Sequence, residues 1–403
     1  MQIAFFEDDG WVELLPFTRL RPIWAIWWGT STLAEKWSAY YGWHATGQLP
    51  AQKKLWRLFP PIFPEGDTVW VNARLLPLSA EFNRWLHDLG PDRLYVTSTG
   101  EAVALRTRRL PCKDPEKPQT FGQPFPTAEV PSDLPLMWLR TPTQLFTETE
   151  AILLADWQAL QAPSATPPPT AQVLGRDNLY LHPSARIGLA FLDATTGPLW
   201  IGPGVEIQHG AIIYGPGAIG PHTTIMAKAN IRTHNSFGPW CKIGGEVAVS
   251  TFLGYSNKSH DGFLGHSVIG AWCNIGAGSN TSNLKNTYGP VRLYHPASGE
   301  LRPTGLQFCG LLMGDYARCG IQTPFTTGCV VDIFANIVGQ SFTPKYVPPF
   351  YWAEGAVWQL AQALETARRM KARRGQTLSE AEAEVLTLLY HELTPIPKAE
   401  SSA

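Results

Sequence analysis

The chain lacks three things that would narrow its class at once: a charge imbalance, a long apolar run and paired cysteines. Of 403 residues, 32 are Lys or Arg and 33 are Asp or Glu, a formal net charge of -1, so no basic field draws the protein to nucleic acid. No stretch is long and charge-free enough to span a bilayer, and the N-terminus has neither the basic region nor the apolar run of a signal peptide. A cytoplasmic protein with no membrane and no nucleic-acid partner is expected. The six cysteines form no Cys-x-x-Cys pair and read as packing residues. His209, His222 and His234 are spaced by 13 and 12 residues, a poor pattern for a metal site, and no metal is expected there.

What is present is a period of six. From Ile201 the apolar residues Ile207, Ile213, Ile219, Ile225, Ile231, Phe237, Ile243 and Val249 recur at every sixth position, a spacing that belongs neither to a helix nor to an alternating strand. Four places after an anchor the residue is usually small, as at Ala211, Gly217, Thr223, Ala229 and Cys241. This describes a three-sided prism of parallel strands, one hexad per side and about eighteen residues per coil. The phase resumes at Phe263, Ile269, Ile275 and Thr281, then at Met313, Cys319, Phe325, Val331 and Ile337. Two excursions, about 250–262 and 282–310, read as insertions, and loops on a rigid repeat are where chemistry is preferentially placed.

The first excursion carries Asn257-Lys258-Ser259-His260-Asp261-Gly262, followed by Phe263-Leu264-Gly265 and Asn274-Ile275-Gly276-Ala277-Gly278; the second opens Asn280-Thr281-Ser282-Asn283-Leu284-Lys285. In order and spacing these segments resemble the acetyltransferase half of the GlmU-like family over about 180–345. The resemblance implies a left-handed parallel β-helix of hexapeptide repeats, a homotrimer with sites between subunits, and transfer of an acetyl group from acetyl-CoA to glucosamine 1-phosphate in nucleotide-sugar synthesis. Handedness comes from the resemblance alone, since parallel crossovers otherwise favour the opposite hand. Where well-known members carry Arg-Pro-Gly this chain has Met226-Ala227-Lys228, and where they carry a tyrosine after the histidine it has Phe263.

Acyl transfer to an amine requires the amine to lose a proton, and histidine is the side chain whose ordinary pKa lies near neutrality. His260 is therefore the expected general base, with Asp261 or a backbone carbonyl fixing its tautomer. A backbone N–H near Ala277 and Gly278 is the expected donor to the thioester oxyanion. Lys258, Lys285, Lys242, Lys228 and Arg232 offer cations to phosphates, Asn257, Asn274 and Asn283 offer hydroxyl partners, and Phe263 offers a ring to the sugar.

Residues 1–141 contain no hexad and are rich in tryptophan and proline. Ile3-Ala4-Phe5-Phe6, Thr68-Val69-Trp70-Val71 and Arg93-Leu94-Tyr95-Val96 read as parallel strands with a helix over Ala80 to Leu89, an α/β layer. The run Leu14 to Pro22 with Gly29 and Glu35-Lys36-Trp37 resembles sugar-nucleotide pyrophosphorylases, which makes Arg19, Arg21 and Lys36 expected nucleotide contacts. The glycine-rich phosphate loop is missing, and Glu7-Asp8-Asp9-Gly10 stands in its place, so phosphate binding there requires magnesium between the charges. The expectation is a reduced, Rossmann-like nucleotidyltransferase domain in which Mg2+ matters only if the domain is active. For the chain as a whole, the alternatives to acyl transfer are a sugar-1-phosphate nucleotidyltransferase whose prism only assembles subunits and a non-catalytic trimeric scaffold.

Residues 142–177 read as a helix over Gln144 to Leu160 and a stiff Pro-rich linker. The β-helix is expected over 178–345, and 346–403 as a helical extension: Glu354 to Arg374, then a second helix opened by a capping box at Thr377-Leu378-Ser379-Glu380. Arg368, Arg369, Lys371, Arg373 and Arg374 make a basic cluster, either a solvated face or a phosphate contact for coenzyme A.

Overall fold

A computed structural model of the chain describes residues 2–160, 162–339, 341–353 and 355–394. The hexads stack as parallel strands in register. One side carries Leu181, Ile201, Ile219, Phe237, Phe252, Ile269, Met313, Val331 and Val347, each paired with the next and all buried. A second carries Ile187, Ile207, Ile225, Ile243 and Lys258, and a third Val173, Leu192, Ile213, Ile231, Val247 and Leu264. Alternation within each short strand sends the anchor inward and its neighbour outward, and each fully buried isoleucine contributes about 2 kcal/mol. The stack begins at Ala171–Leu174, ahead of the expected start at 178.

The two phase breaks differ in kind. Between Phe237 and Phe252 the chain closes a coil in fewer residues than the regular repeat, so the first excursion is a contraction and not an insertion. It moves the inward positions to Val247 and Leu264, and Val249 and Phe263, expected as anchors, are only half-buried. The second excursion is a true insertion. It carries the hairpin Arg292–His295 with Glu300–Pro303, and Arg302 reaches Glu13 of the N-terminal domain at 2.8 Å.

Corners are turned by residues in the left-handed region, many of them aromatic. His222, Trp240, Tyr255, Trp272, Tyr316, Phe334 and Phe350 have φ between 54° and 62°. Left-handed backbone costs about 1 kcal/mol at a non-glycine residue. Stacking offsets it: His222 lies 4.5 Å from Trp240, Tyr255 4.4 Å from Trp272, and Tyr316 4.9 Å from Phe334. The far end of this ladder shares a core with two C-terminal helices, Leu360–Ala372 and Glu380–Leu393. The first starts later than expected, and Glu354, its expected first residue, lies outside the described residues. The second is capped by Ser379, which accepts from the Glu382 N–H, two residues beyond the expected Thr377.

The N-terminal domain is a six-stranded sheet in which Gln2–Phe6 lies between His44–Leu49 and Thr68–Asn72, all parallel. Ala102–Thr107 runs antiparallel between Thr68–Asn72 and Arg93–Val96. The helix Ala80–His87 is capped by Ser79. The region 142–160 forms Gln144–Thr147 and Thr149–Ala159. Leu145, Phe146 and Ile152 join one core with the sheet and with Leu253, Val268, Leu312 and Val330 of the prism.

Candidate functional site

One outer face of the prism carries a polar ladder. Because each inward anchor is preceded by an outward residue, Thr224, Lys242, Asn257, Asn274, Arg318 and Asn336 fall in register on consecutive coils. The end of the first C-terminal helix lies over this ladder, and the two enclose a cavity of about 580 Å³ lined by Lys242, Asn257, His260, Asn274, Ala277 and Arg318 together with Met370, Arg373 and Arg374. Among the described residues no carboxylate lines it. Four cations facing one cavity without a counter-charge make an environment for an anion.

The cations are held in place. Arg374 donates to Asn257 Oδ1 at 2.7 Å, and Asn257 in turn faces Asn274 Oδ1 at 3.4 Å. Burial lowers the Arg374 pKa from its ordinary value. Arg318 donates to the Tyr316 carbonyl at 3.1 Å and lies over the rings of Phe334 and Trp358 at 5.7 and 5.5 Å. Burial pushes its guanidinium down to about 10.

His260 is exposed and lines this cavity. Among the described residues nothing hydrogen-bonds to its ring, neither Asp261 nor a backbone carbonyl. What is fixed is its backbone. Lys258 occupies the inward position above Ile243, is 2% exposed, and donates to the carbonyls of Gly244 at 2.9 Å and His260 at 2.8 Å. Burial brings its ammonium down to about 8, against a smaller opposing pull from Asp261. Lys258 was expected to touch substrate; it lies inside the prism, where the contraction placed a lysine at an anchor.

Of the expected site residues, His260, Asn257, Asn274 and Ala277 therefore meet in one cavity. The Gly278 N–H is engaged by the Asp261 carbonyl at 3.0 Å, whereas the Ala277 N–H has no backbone partner among the described residues. Phe263 lies on the neighbouring side, its N–H bonded to Asn280 at 2.8 Å. Asn283 bonds His266 at 2.9 Å, beside a different cavity of about 370 Å³. Lys285 caps the Pro290 carbonyl at 2.8 Å, and Arg232 pairs with Glu246 at 3.4 Å. None of these lines the His260 cavity. The basic cluster divides: Arg373 and Arg374 line the cavity, Arg368 and Arg369 pair with Glu365, and Lys371 pairs with Glu382. Arg318 went unrecognised, although it precedes the anchor Cys319 as Asn274 precedes Ile275.

The expected nucleotide contacts are spent on structure. Arg19 makes two bonds to buried Asp332, at 3.3 and 2.9 Å, and Arg21 meets buried Asp315 at 2.9 Å, so both tie the N-terminal domain to the prism. Lys36 is fully buried against Asp156 at 2.6 Å. Where a magnesium-phosphate site was considered, Arg74 is bound to Asp8 at 2.5 Å, and Asn72 donates to the same carboxylate at 2.8 Å. Glu7 caps the N–H groups of Ile23 and Ala51, and burial raises its carboxyl to about 7. These donors do not fit Mg2+, because Asp8 already faces a guanidinium and Glu7 is turned to backbone N–H groups. Among the described residues no group of three or more His, Cys, Asp or Glu is placed to hold a metal.

Residues 3–164 match the family described as sugar nucleotidyl transferase. The bifunctional protein GlmU of Trichormus variabilis is 31% identical over 136 residues, 32% of this chain and 27% of that protein. Over these stretches the chain is similar to GlmU. The GlmU of Methanocaldococcus jannaschii is also 31% identical, over 86 residues, 21% of this chain and 20% of that protein. The chain thus spans about a quarter of these relatives' length. Similar solved structures include the UDP-N-acetylglucosamine acyltransferase of Francisella novicida, 16% identical over 57% of this chain and 79% of that one, with a TM-score of 0.24. Another is a mutant GDP-perosamine N-acetyl transferase of Caulobacter crescentus in complex with CoA and GDP-perosamine, 10% identical over 85% and 91% of the chains, with a TM-score of 0.14.

Proposed function

We propose that this chain is an acetyl-CoA-dependent N-acetyltransferase acting on an amino-sugar phosphate, with His260 as general base, and that it works as a cytoplasmic homotrimer. The observation that carries the reading is the shared cavity: an imidazole, an asparagine ladder and four cations, with no carboxylate among the described lining residues. Asn257 and Asn274 hold sugar hydroxyls, and Lys242, Arg373 and Arg374 hold phosphate. His260 takes the proton as the amine nitrogen attacks the thioester carbon. The new C–N bond forms, the carbonyl oxygen is met by the Ala277 N–H, and the C–S bond breaks to release coenzyme A, whose thiolate is protonated as it leaves. The N-terminal domain is assigned to supporting the prism.

The test is thiol release from acetyl-CoA with amino-sugar phosphates as acceptors. The wild-type chain releases thiol and His260→Ala falls by about a hundredfold or more, the usual worth of a positioned base. Equal rates from both, or no release from the wild type, would remove the reading.

A further inference from the structure

Arg318 is a half-buried cation, its Nε fully enclosed, with no counter-ion among the described residues. Its guanidinium makes no ion pair with any described carboxylate, its Nε has no hydrogen-bond partner, and the indole N–H of the neighbouring Trp358 is likewise buried and unpaired. Buried donors without acceptors destabilise a fold, and a site that leaves two side by side is shaped for an acceptor that arrives with the ligand. Arg318 lines the same cavity as His260, but not on the same coil. His260 follows Asn257 by three residues, and the register runs Asn257 to Asn274 to Arg318. The base and this cation are therefore separated by two inter-strand steps, about 10 Å along the prism axis. Arg374, bonded to Asn257 at 2.7 Å, supplies a cation on the near coil.

In a hexosamine 1-phosphate the amine and the phosphate sit on adjacent carbons. With its nitrogen at His260, such a molecule places its one phosphate beside Arg374 and leaves Arg318 empty. A second phosphate in line fills both positions. We infer that the acyl acceptor is an amino sugar linked through a diphosphate, as in a nucleoside-diphosphate amino sugar, with its proximal phosphate at Arg374 and its distal phosphate at Arg318. This rests on the acyl-transfer reading and specifies its substrate class. A reaction that supplies such a substrate before acylation is nucleotidyl transfer from a nucleoside triphosphate onto the amino-sugar 1-phosphate, with release of pyrophosphate.

The experiment is calorimetric binding of UDP-glucosamine, glucosamine 1-phosphate and acetyl-CoA to the full chain, wild type, Arg318→Met and Arg318→Lys, with thiol release measured on the same wild-type sample. The wild type binds UDP-glucosamine at least about tenfold more tightly than glucosamine 1-phosphate, the value of one charge-assisted hydrogen bond. Arg318→Met removes most of that preference, Arg318→Lys retains part of it, and neither changes acetyl-CoA affinity. Equal wild-type binding of the two acceptors overturns the inference without needing a variant. So does a loss of acetyl-CoA affinity in Arg318→Met, which would give the distal cation to the coenzyme. Absence of thiol release with both acceptors sinks the acyl-transfer reading, whereas thiol release without the binding preference sinks only the diphosphate.

Discussion

Lys258→Met tests the most unusual feature of the prism, an ammonium at a position every other coil of that side fills with an apolar side chain. In the fold Lys258 titrates near 8, against 10.5 for an ordinary lysine. Below pH 8 both the folded and the unfolded chain carry the charge and its contribution is constant. Between about 8 and 10.5 the unfolded chain binds the proton and the folded one does not, so stability rises with pH; above 10.5 both are neutral. The difference corresponds to about 3 kcal/mol. Methionine removes this charge and also two hydrogen bonds, to Gly244 and His260, whose unpaired carbonyls cost about 1–3 kcal/mol each. Wild type and variant are therefore expected within a few kcal/mol of each other at pH 7, with the wild type gaining about 3 kcal/mol on the variant by pH 10.5. Urea unfolding of both proteins across that range reads the difference, in which other titrating groups cancel. A wild-type-minus-variant difference that stays flat with pH would show that no charged lysine is buried there.

Two further outcomes follow from the contacts. Asp332→Ala strands the Arg19 guanidinium and removes an acceptor of the Tyr346 hydroxyl at 3.1 Å, so urea unfolding should show a loss of about 3–5 kcal/mol, most of it restored in Arg19→Met/Asp332→Leu. Asn283→Ala and Lys285→Ala alter groups that bond His266 and Pro290 instead of lining the His260 cavity. Their kcat/KM for acyl transfer should stay within about threefold of wild type, under 1 kcal/mol, and a hundredfold fall would move the site.

The prism was legible because a period of six has one structural solution, and Ile201 through Ile243 occupy the inward positions it demands. The contraction, which falls at Ile243 to Phe252 and again at Leu264 to Ile269, was not. A broken phase looks the same whether residues are gained or lost, so the spacing points to Val249 and Phe263 as anchors while Val247 and Leu264 do that work. The same ambiguity hid Lys258, since a lysine in a polar run reads as solvated and only register shows it facing inward. Asn283 and Lys285 were near His260 in sequence but not in space, because the prism turns a corner between them. Arg318 was within reach: counting back one residue from each anchor of that side gives Lys242, Asn274 and Arg318 directly. In the N-terminal domain the strands and the missing glycine loop were readable. The fate of Arg19, Arg21 and Lys36 was not, because their partners Asp332, Asp315 and Asp156 lie more than a hundred residues away.

A crystal structure with coenzyme A bound decides whether acyl transfer occurs in the cavity between the asparagine ladder and the C-terminal helix. The thiol is expected beside His260 and Ala277, with the coenzyme in the cavity that Asn274 lines; a thiol lodged at the His266 cavity, or anywhere out of reach of the His260 imidazole, would refute acyl transfer at this site.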